Sequence, residues 1–160
     1  MSAPAFDELL RQLAAADVRF VLVGGLAVNA WGVVRGTKDV DVVVASDRAN
    51  LARLAEAAVA MGGHVQAENA LLGTPLSIAE RLASGVRVQI DTNLGSLDVI
   101  QGLPGVPGYE ELRGSATDTE ILGASIPVCS LEDLQAMKRA AGRARDLADL
   151  EDLESAHEDD

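Results

Sequence analysis

Over residues 4–16 the apolar positions Phe6, Leu9, Leu10 and Leu13 recur at helical spacing, which predicts an amphipathic first helix. Residues 19–23 (RFVLV) are a run of strand formers closed by Gly24-Gly25, with a short helix expected through Trp31. Asp39–Val44 (DVDVVV) predicts a second strand. Ser46 is placed to cap a helix whose apolar positions Leu51, Leu54, Ala58 and Met61 repeat every three to four residues and stop at Gly62-Gly63. Residues 86–90 alternate apolar and polar, the mark of a half-buried strand, and lead into Asp91. With four glycines and two prolines, 95–108 reads mostly as loop. Residues 120–122 and 125–128 flank Gly123-Ala124 as a hairpin. Ser130 and Asp133 form a capping-box pattern opening a helix through about Ala141, and Gly142 interrupts it. A last helix is expected over 146–155, with Leu147, Leu150 and Leu153 on one face.

Strands and helices interleave, so the fold class is α/β (α+β), a small mixed sheet flanked by helices. A length of 160 residues suits one domain, placed at 1–155, with 156–160 as a frayed acidic tail. Apolar residues make up 48% of the chain and supply a core, which excludes general disorder. Only Phe6, Phe20, Trp31 and Tyr109 are aromatic, so that core is aliphatic. The single Cys129 excludes a disulfide framework and a cysteine zinc site, and reads as a small buried hydrophobe. His64 and His157 are too few for a histidine-rich metal centre, and His64 reads as a loop residue. No apolar run approaches the ~20 residues that span a bilayer, so a cytoplasmic protein without membrane contact is expected.

The net charge of −12 repels nucleic acid and anionic membrane as a whole, but it is unevenly spread. Residues 146–160 carry eight carboxylates and no Lys or Arg, whereas Lys138, Arg139, Arg143 and Arg145 cluster just before them. One local anion site is therefore compatible with the sequence.

Asp39 and Asp41 stand two apart on a strand, so both side chains leave the same face. Neighbouring carboxylates repel, and a divalent cation removes the conflict; an oxygen-only set suits Mg²⁺ or Mn²⁺. The other reading pairs them with Arg35 and Lys38, or leaves Asp39 in a turn. Gly24-Gly25 lacks Cβ atoms where a phosphate could approach the backbone N–H groups, or it simply makes a tight turn. Asp91, at the end of a later strand, either completes a two-metal cluster or merely ends that strand.

The pattern GG…R-x-T-x-D-V-D over residues 20–44 resembles the nucleotidyltransferases of the DNA polymerase β superfamily. The segment VCSLEDLQAMKRAAGRARDLADLEDL is similar to the C-terminal signature of their minimal bacterial branch, the abortive-infection (type IV) toxin-like enzymes. This resemblance implies a polymerase β palm-like fold and transfer of a nucleoside monophosphate from a nucleoside triphosphate to an acceptor hydroxyl, releasing pyrophosphate. It assigns Gly24 and Gly25 to the triphosphate, Asp39 and Asp41 to the metal ions, and Asp91 to the third carboxylate that orients or deprotonates the acceptor. It assigns Lys138 to a nucleotide phosphate. Arg35 and Thr37 fall beside the metal site, as an anion contact or as a structural bond to the DxD turn. Asp146 and Asp149 match the signature's acidic positions and read as salt-bridge partners of Arg143 or Arg145. Trp31 stands where many relatives have His, and reads as a core residue.

The implied partners are a nucleoside triphosphate, an acceptor (tRNA, protein or small molecule) and a partner protein or second copy of the chain. Two alternatives share these features. A dinucleotide-binding start lacks its glycines, since Leu26 and Asn29 occupy the required positions. A non-catalytic, antitoxin-like binding module would keep the fold and lose the chemistry. The Gly/Pro-rich stretch 102–108 either borders the acceptor site or is an ordinary surface loop.

Overall fold

The computed structural model describes residues 4–158. In chain order the elements are α1 (Phe6–Ala15), β1 (Phe20–Val23), α2 (Gly24–Ala30), β2 (Asp39–Val44) and α3 (Arg48–Ala60). A small hairpin, β3 (Val65–Ala67) and β4 (Ala70–Leu72), precedes α4 (Pro75–Ser84), β5 (Arg87–Thr92) and β6 (Gly95–Ile100). There follow α5 (Tyr109–Ser115), β7 (Thr117–Ile121), β8 (Ala124–Val128), α6 (Leu131–Ala141) and α7 (Ala144–Ala156). Six strands form one mixed sheet in the order β5-β6-β2-β1-β8-β7, which is the expected fold class.

β2 is central, antiparallel to β1 and parallel to β6. Its Val40, Val42 and Val44 are buried, as are Leu97 and Val99 of β6 and Val88 and Ile90 of β5. Up to Val42 in β2 and Val99 in β6 these residues alternate with polar ones, so one face of this half of the sheet is aliphatic and the other carries the carboxylates, with Val43 and Ile100 beyond them. Leu9, Leu10 and Leu13 of α1 and Leu51, Leu54 and Ala58 of α3 join the same buried cluster, as their spacing predicts.

Four details differ from the sequence reading. The cap of α3 is Asp47, not Ser46: its carboxylate accepts the Asn50 N–H. The stretch 95–108 is not mostly loop, because its first six residues are β6 and the breakers act only from Gly102 onward. The β7–β8 turn centres on Leu122 (φ +49°) and Gly123 (φ +80°), one residue earlier than expected, as a two-residue hairpin matching the sheet's twist requires. His157 is docked rather than frayed, its Nε2 donating to the Trp31 carbonyl at 2.6 Å; Asp159 and Asp160 lie outside the described residues. Trp31 sits at the core margin and donates its indole N–H to the Cys129 carbonyl at 2.9 Å. Among the described residues no helix is long and apolar enough to cross a membrane.

Asn50 is fully buried and staples two chain segments together. Its Oδ1 accepts the Arg19 N–H at 2.7 Å, while its Nδ2 donates to the Arg19 and Ala45 carbonyls at 3.0 and 2.8 Å. Asn50→Ala removes three side-chain–backbone hydrogen bonds, the one to the Ala45 carbonyl fully buried, while the Arg19 carbonyl keeps the Ala45 N–H, so urea denaturation is expected to show a loss of about 1–3 kcal/mol.

Candidate active site

The register of β2 against β6 builds the site. Asp41 lies directly beside Asp98, and Asp39 beside Ser96, so these side chains leave one face of adjacent strands. One oxygen from each of Asp39, Asp41 and Asp98 lies within 4.8 Å of the others. Asp98 is 6% exposed, and Asp41 Oδ1 is buried with no hydrogen-bond partner. Burial, then the adjacent Asp98 charge, pushes the Asp41 carboxyl up to about 7. Among the described residues one cation forms an ion pair with these three carboxylates: Arg87 Nη2 donates to Asp98 Oδ2 at 3.0 Å from the neighbouring strand β5. An all-oxygen set with an orphaned buried oxygen is the chemistry that a hard divalent cation satisfies, so the residues fit Mg²⁺ or Mn²⁺.

Asp91 does not join them. It is paired with Ser96, which is itself paired with Asp39, so Asp91 lies on the same face but two strands from β2, roughly 10 Å at the usual strand spacing. Its Oδ1 accepts from Gln89 and Ser96, and His64 bridges to its backbone. Asp98 takes the position the sequence reading gave to Asp91. The available signal was alternation: Ser96 and Asp98 interleave with Leu97 and Val99, placing a carboxylate inside an apolar strand. The glycines and prolines that follow obscured it.

Gly24 and Gly25 are the first residues of α2, and their missing side chains are spatial requirements. A Cβ on Gly24, which has φ +70°, would collide with Asp41 Oδ2. One on Gly25 would come within 2.7 Å of Thr37 Oγ1 and 3.2 Å of Arg35 Nη1. Thr37 Oγ1 in turn donates to the Asp39 carbonyl at 3.1 Å, tying the incoming loop to the first residue of the DxD pair.

Across the cavity, α6 and α7 present a separate charge network. Buried Lys138 pairs with Asp146 at 3.5 Å and Asp149 at 3.0 Å. Arg35 Nη1 reaches Asp149 at 2.9 Å, and Arg143 Nε reaches Asp146 at 2.7 Å. Burial raises the Asp146 carboxyl, but hydrogen bonds from Arg143 outweigh it and the net shift is downward. Asp146 and Asp149 are therefore salt-bridge partners, with Asp149 held by Arg35 and Lys138 rather than by Arg143 or Arg145. Gly24, Gly25, Arg35, Thr37, Asp39, Asp41 and Lys138 all line one cavity of ≈ 710 Å³, to which Lys38, Arg87 and Arg145 add cations. Among the described residues Lys38 and Arg145 make no ion pair.

This sheet and its helices are the nucleotidyltransferase fold. The lincosamide antibiotic adenylyltransferase LnuA, solved with lincomycin bound, superposes with a TM-score of 0.65 at 15% identity, over 95% of this chain and 96% of that one. ANT(2'')-Ia in complex with adenylyl-2''-tobramycin superposes at 0.59 with 14% identity, over 94% and 86%. A nucleotidyltransferase from Thermotoga maritima superposes at 0.57 with 16% identity, over 94% and 93%. No curated protein matches the chain. The family model for the nucleotidyl transferase AbiEii toxin of type IV toxin–antitoxin systems matches residues 8–160, and the chain belongs to that family.

The raised Asp41 carboxyl fixes a pH dependence. Its native pKa of about 7 exceeds the unfolded 3.8, so this group's contribution to stability is present in full below pH 3.8 and lost as pH rises toward 7. Asp41→Asn is therefore expected to melt several degrees above the metal-free wild type at pH 8, with the gap closing by pH 4. Thermal melts across pH in chelator check this; a variant that melts lower at pH 8 contradicts it.

Proposed function

We propose that the protein transfers a nucleoside monophosphate from a nucleoside triphosphate to an acceptor hydroxyl, with divalent-cation dependence and release of pyrophosphate. The observation that carries this reading is the convergence of Asp39, Asp41 and Asp98 beside the Gly24-Gly25 turn, with one buried carboxylate oxygen unsatisfied. Family membership supports it. When bound, the cation supplies charge neutralisation at the triphosphate. Asp39, Asp41 and Asp98 would hold it. Lys38 and Arg145, which make no ion pair among the described residues, are available to the phosphate oxygens, with Lys138 behind them in its carboxylate frame. In the transfer the acceptor oxygen bonds to the α-phosphorus, the bond to the bridging oxygen breaks, and pyrophosphate leaves. In this reading Asp98, beside Asp41, would orient the acceptor hydroxyl and take its proton. Such chemistry needs positioning and charge neutralisation more than a large protein.

The family implies a cognate antitoxin as partner. LnuA and ANT(2'')-Ia, of similar length, act on small antibiotics, so the acceptor is left as a hydroxyl to be read by labelling. Purified protein incubated with Mg²⁺, each α-labelled triphosphate and cell lysate is expected to label one acceptor class. Asp39→Asn, Asp41→Asn and Asp98→Asn should each lower the rate by at least ~100-fold, while Asp91→Asn stays within about threefold of wild type. Absence of label above the Asp39→Asn/Asp41→Asn control would leave the binding-module reading.

A further inference from the structure

Among the described residues Arg87 is the one cation paired with the carboxylate cluster, and little holds it there. In the β5–β6 register Gln89 stands opposite Asp98, while Arg87 stands opposite Ile100 and reaches diagonally along the sheet face to Asp98 Oδ2. A guanidinium can grip a carboxylate through parallel bonds from two nitrogens, yet Nη2 makes the only side-chain hydrogen bond Arg87 has among the described residues. Its side chain is 45% exposed and lines the cavity, whereas that of Asp98 is 8% exposed. Lys138 and Arg143, on the α6–α7 side, are held differently: Lys138 is buried between Asp146 and Asp149, and Arg143 grips both oxygens of Asp146.

We propose, resting on the cation reading above, that Arg87 is the cluster's own counter-ion: it occupies Asp98 Oδ2 in place of a divalent cation and leaves it when that cation binds. A buried carboxylate without a partner is costly, so the empty cluster is stabilised by a resident positive charge. The same charge becomes unfavourable once a divalent cation shares that carboxylate, because like charges a few ångströms apart repel even in polar surroundings. Arg87 can meet both conditions. It opens an edge strand, has one bond to break, and has the cavity to move into. A guanidinium serving as a permanent support of Asp98 would instead be buried or bound at more than one nitrogen, as Arg143 is bound to Asp146. Metal affinity is then set by an exchange of cations on Asp98, and Arg87 lowers it.

The test titrates the full chain with Mn²⁺, without nucleotide, and reads free Mn²⁺ by electron paramagnetic resonance. Arg87→Met, which keeps the side-chain length and removes the charge, is expected to bind Mn²⁺ at least ~10-fold more tightly than wild type. Arg87→Lys, which keeps the charge, should stay within about threefold of wild type, and so should Arg145→Met, which removes an exposed cation of the same cavity that makes no ion pair. A second measurement needs no variant: in the guanidinium NMR spectrum of the wild type, the Arg87 side chain should be restrained in chelator and freely rotating at saturating Mg²⁺. Mn²⁺ binding by Arg87→Met that is unchanged or weaker, an equal gain in Arg145→Met, or an Arg87 signal still restrained in Mg²⁺ overturns the exchange and spares the cation reading. Failure of both wild type and Arg87→Met to bind Mn²⁺ removes the cation reading itself.

Discussion

Three carboxylates held together on one sheet face, with too few cations to neutralise them, are the constraint around which this molecule is organised. The β2–β6 register sets Asp41 against Asp98, and the aliphatic residues on the opposite face fix that register. A slip of one residue would turn Val40 and Val42 outward and the aspartates into the core. Burying such groups is unfavourable, and among the described residues only Arg87 forms an ion pair with one of them. Local conflicts that the rest of a fold sustains are characteristic of functional sites. Gly24 belongs to the same constraint, since its bare backbone is what gives Asp41 room.

The opposite side of the cavity resolves its charges differently. Asp146 and Asp149 are buried on α7 and paired with cations from three parts of the chain: Arg35, Lys138 and Arg143. They hold long, flexible side chains at the cavity edge in a limited set of positions. Asp146 and Asp149 are thus a frame for Lys138, Arg143 and Arg35.

Much of this was legible before the structure. The strand–Gly-Gly–helix–strand unit with its DxD pair, and the capped helix ending at Gly142, follow from local rules that tertiary contacts do not override. The third carboxylate was misplaced for a physical reason: lateral strand order is not a local property. Asp91 ends a convincing strand, but β5 is the sheet edge, and the parallel β6 lies between it and β2. Asp98 sits in a strand whose signal is masked by the breakers just after it. The pairing of Arg35 with Asp149, 114 residues apart, has no local signature either.

The sequence pattern and the geometry of the cluster share Asp39 and Asp41 and differ over the third carboxylate, Asp91 in the one and Asp98 in the other. Crystals grown with Mn²⁺ and measured for anomalous scattering decide this directly. Density bounded by oxygens of Asp39, Asp41 and Asp98 is expected. Density at Asp91, or none between β2 and β6 in a crystal saturated with Mn²⁺, would contradict it.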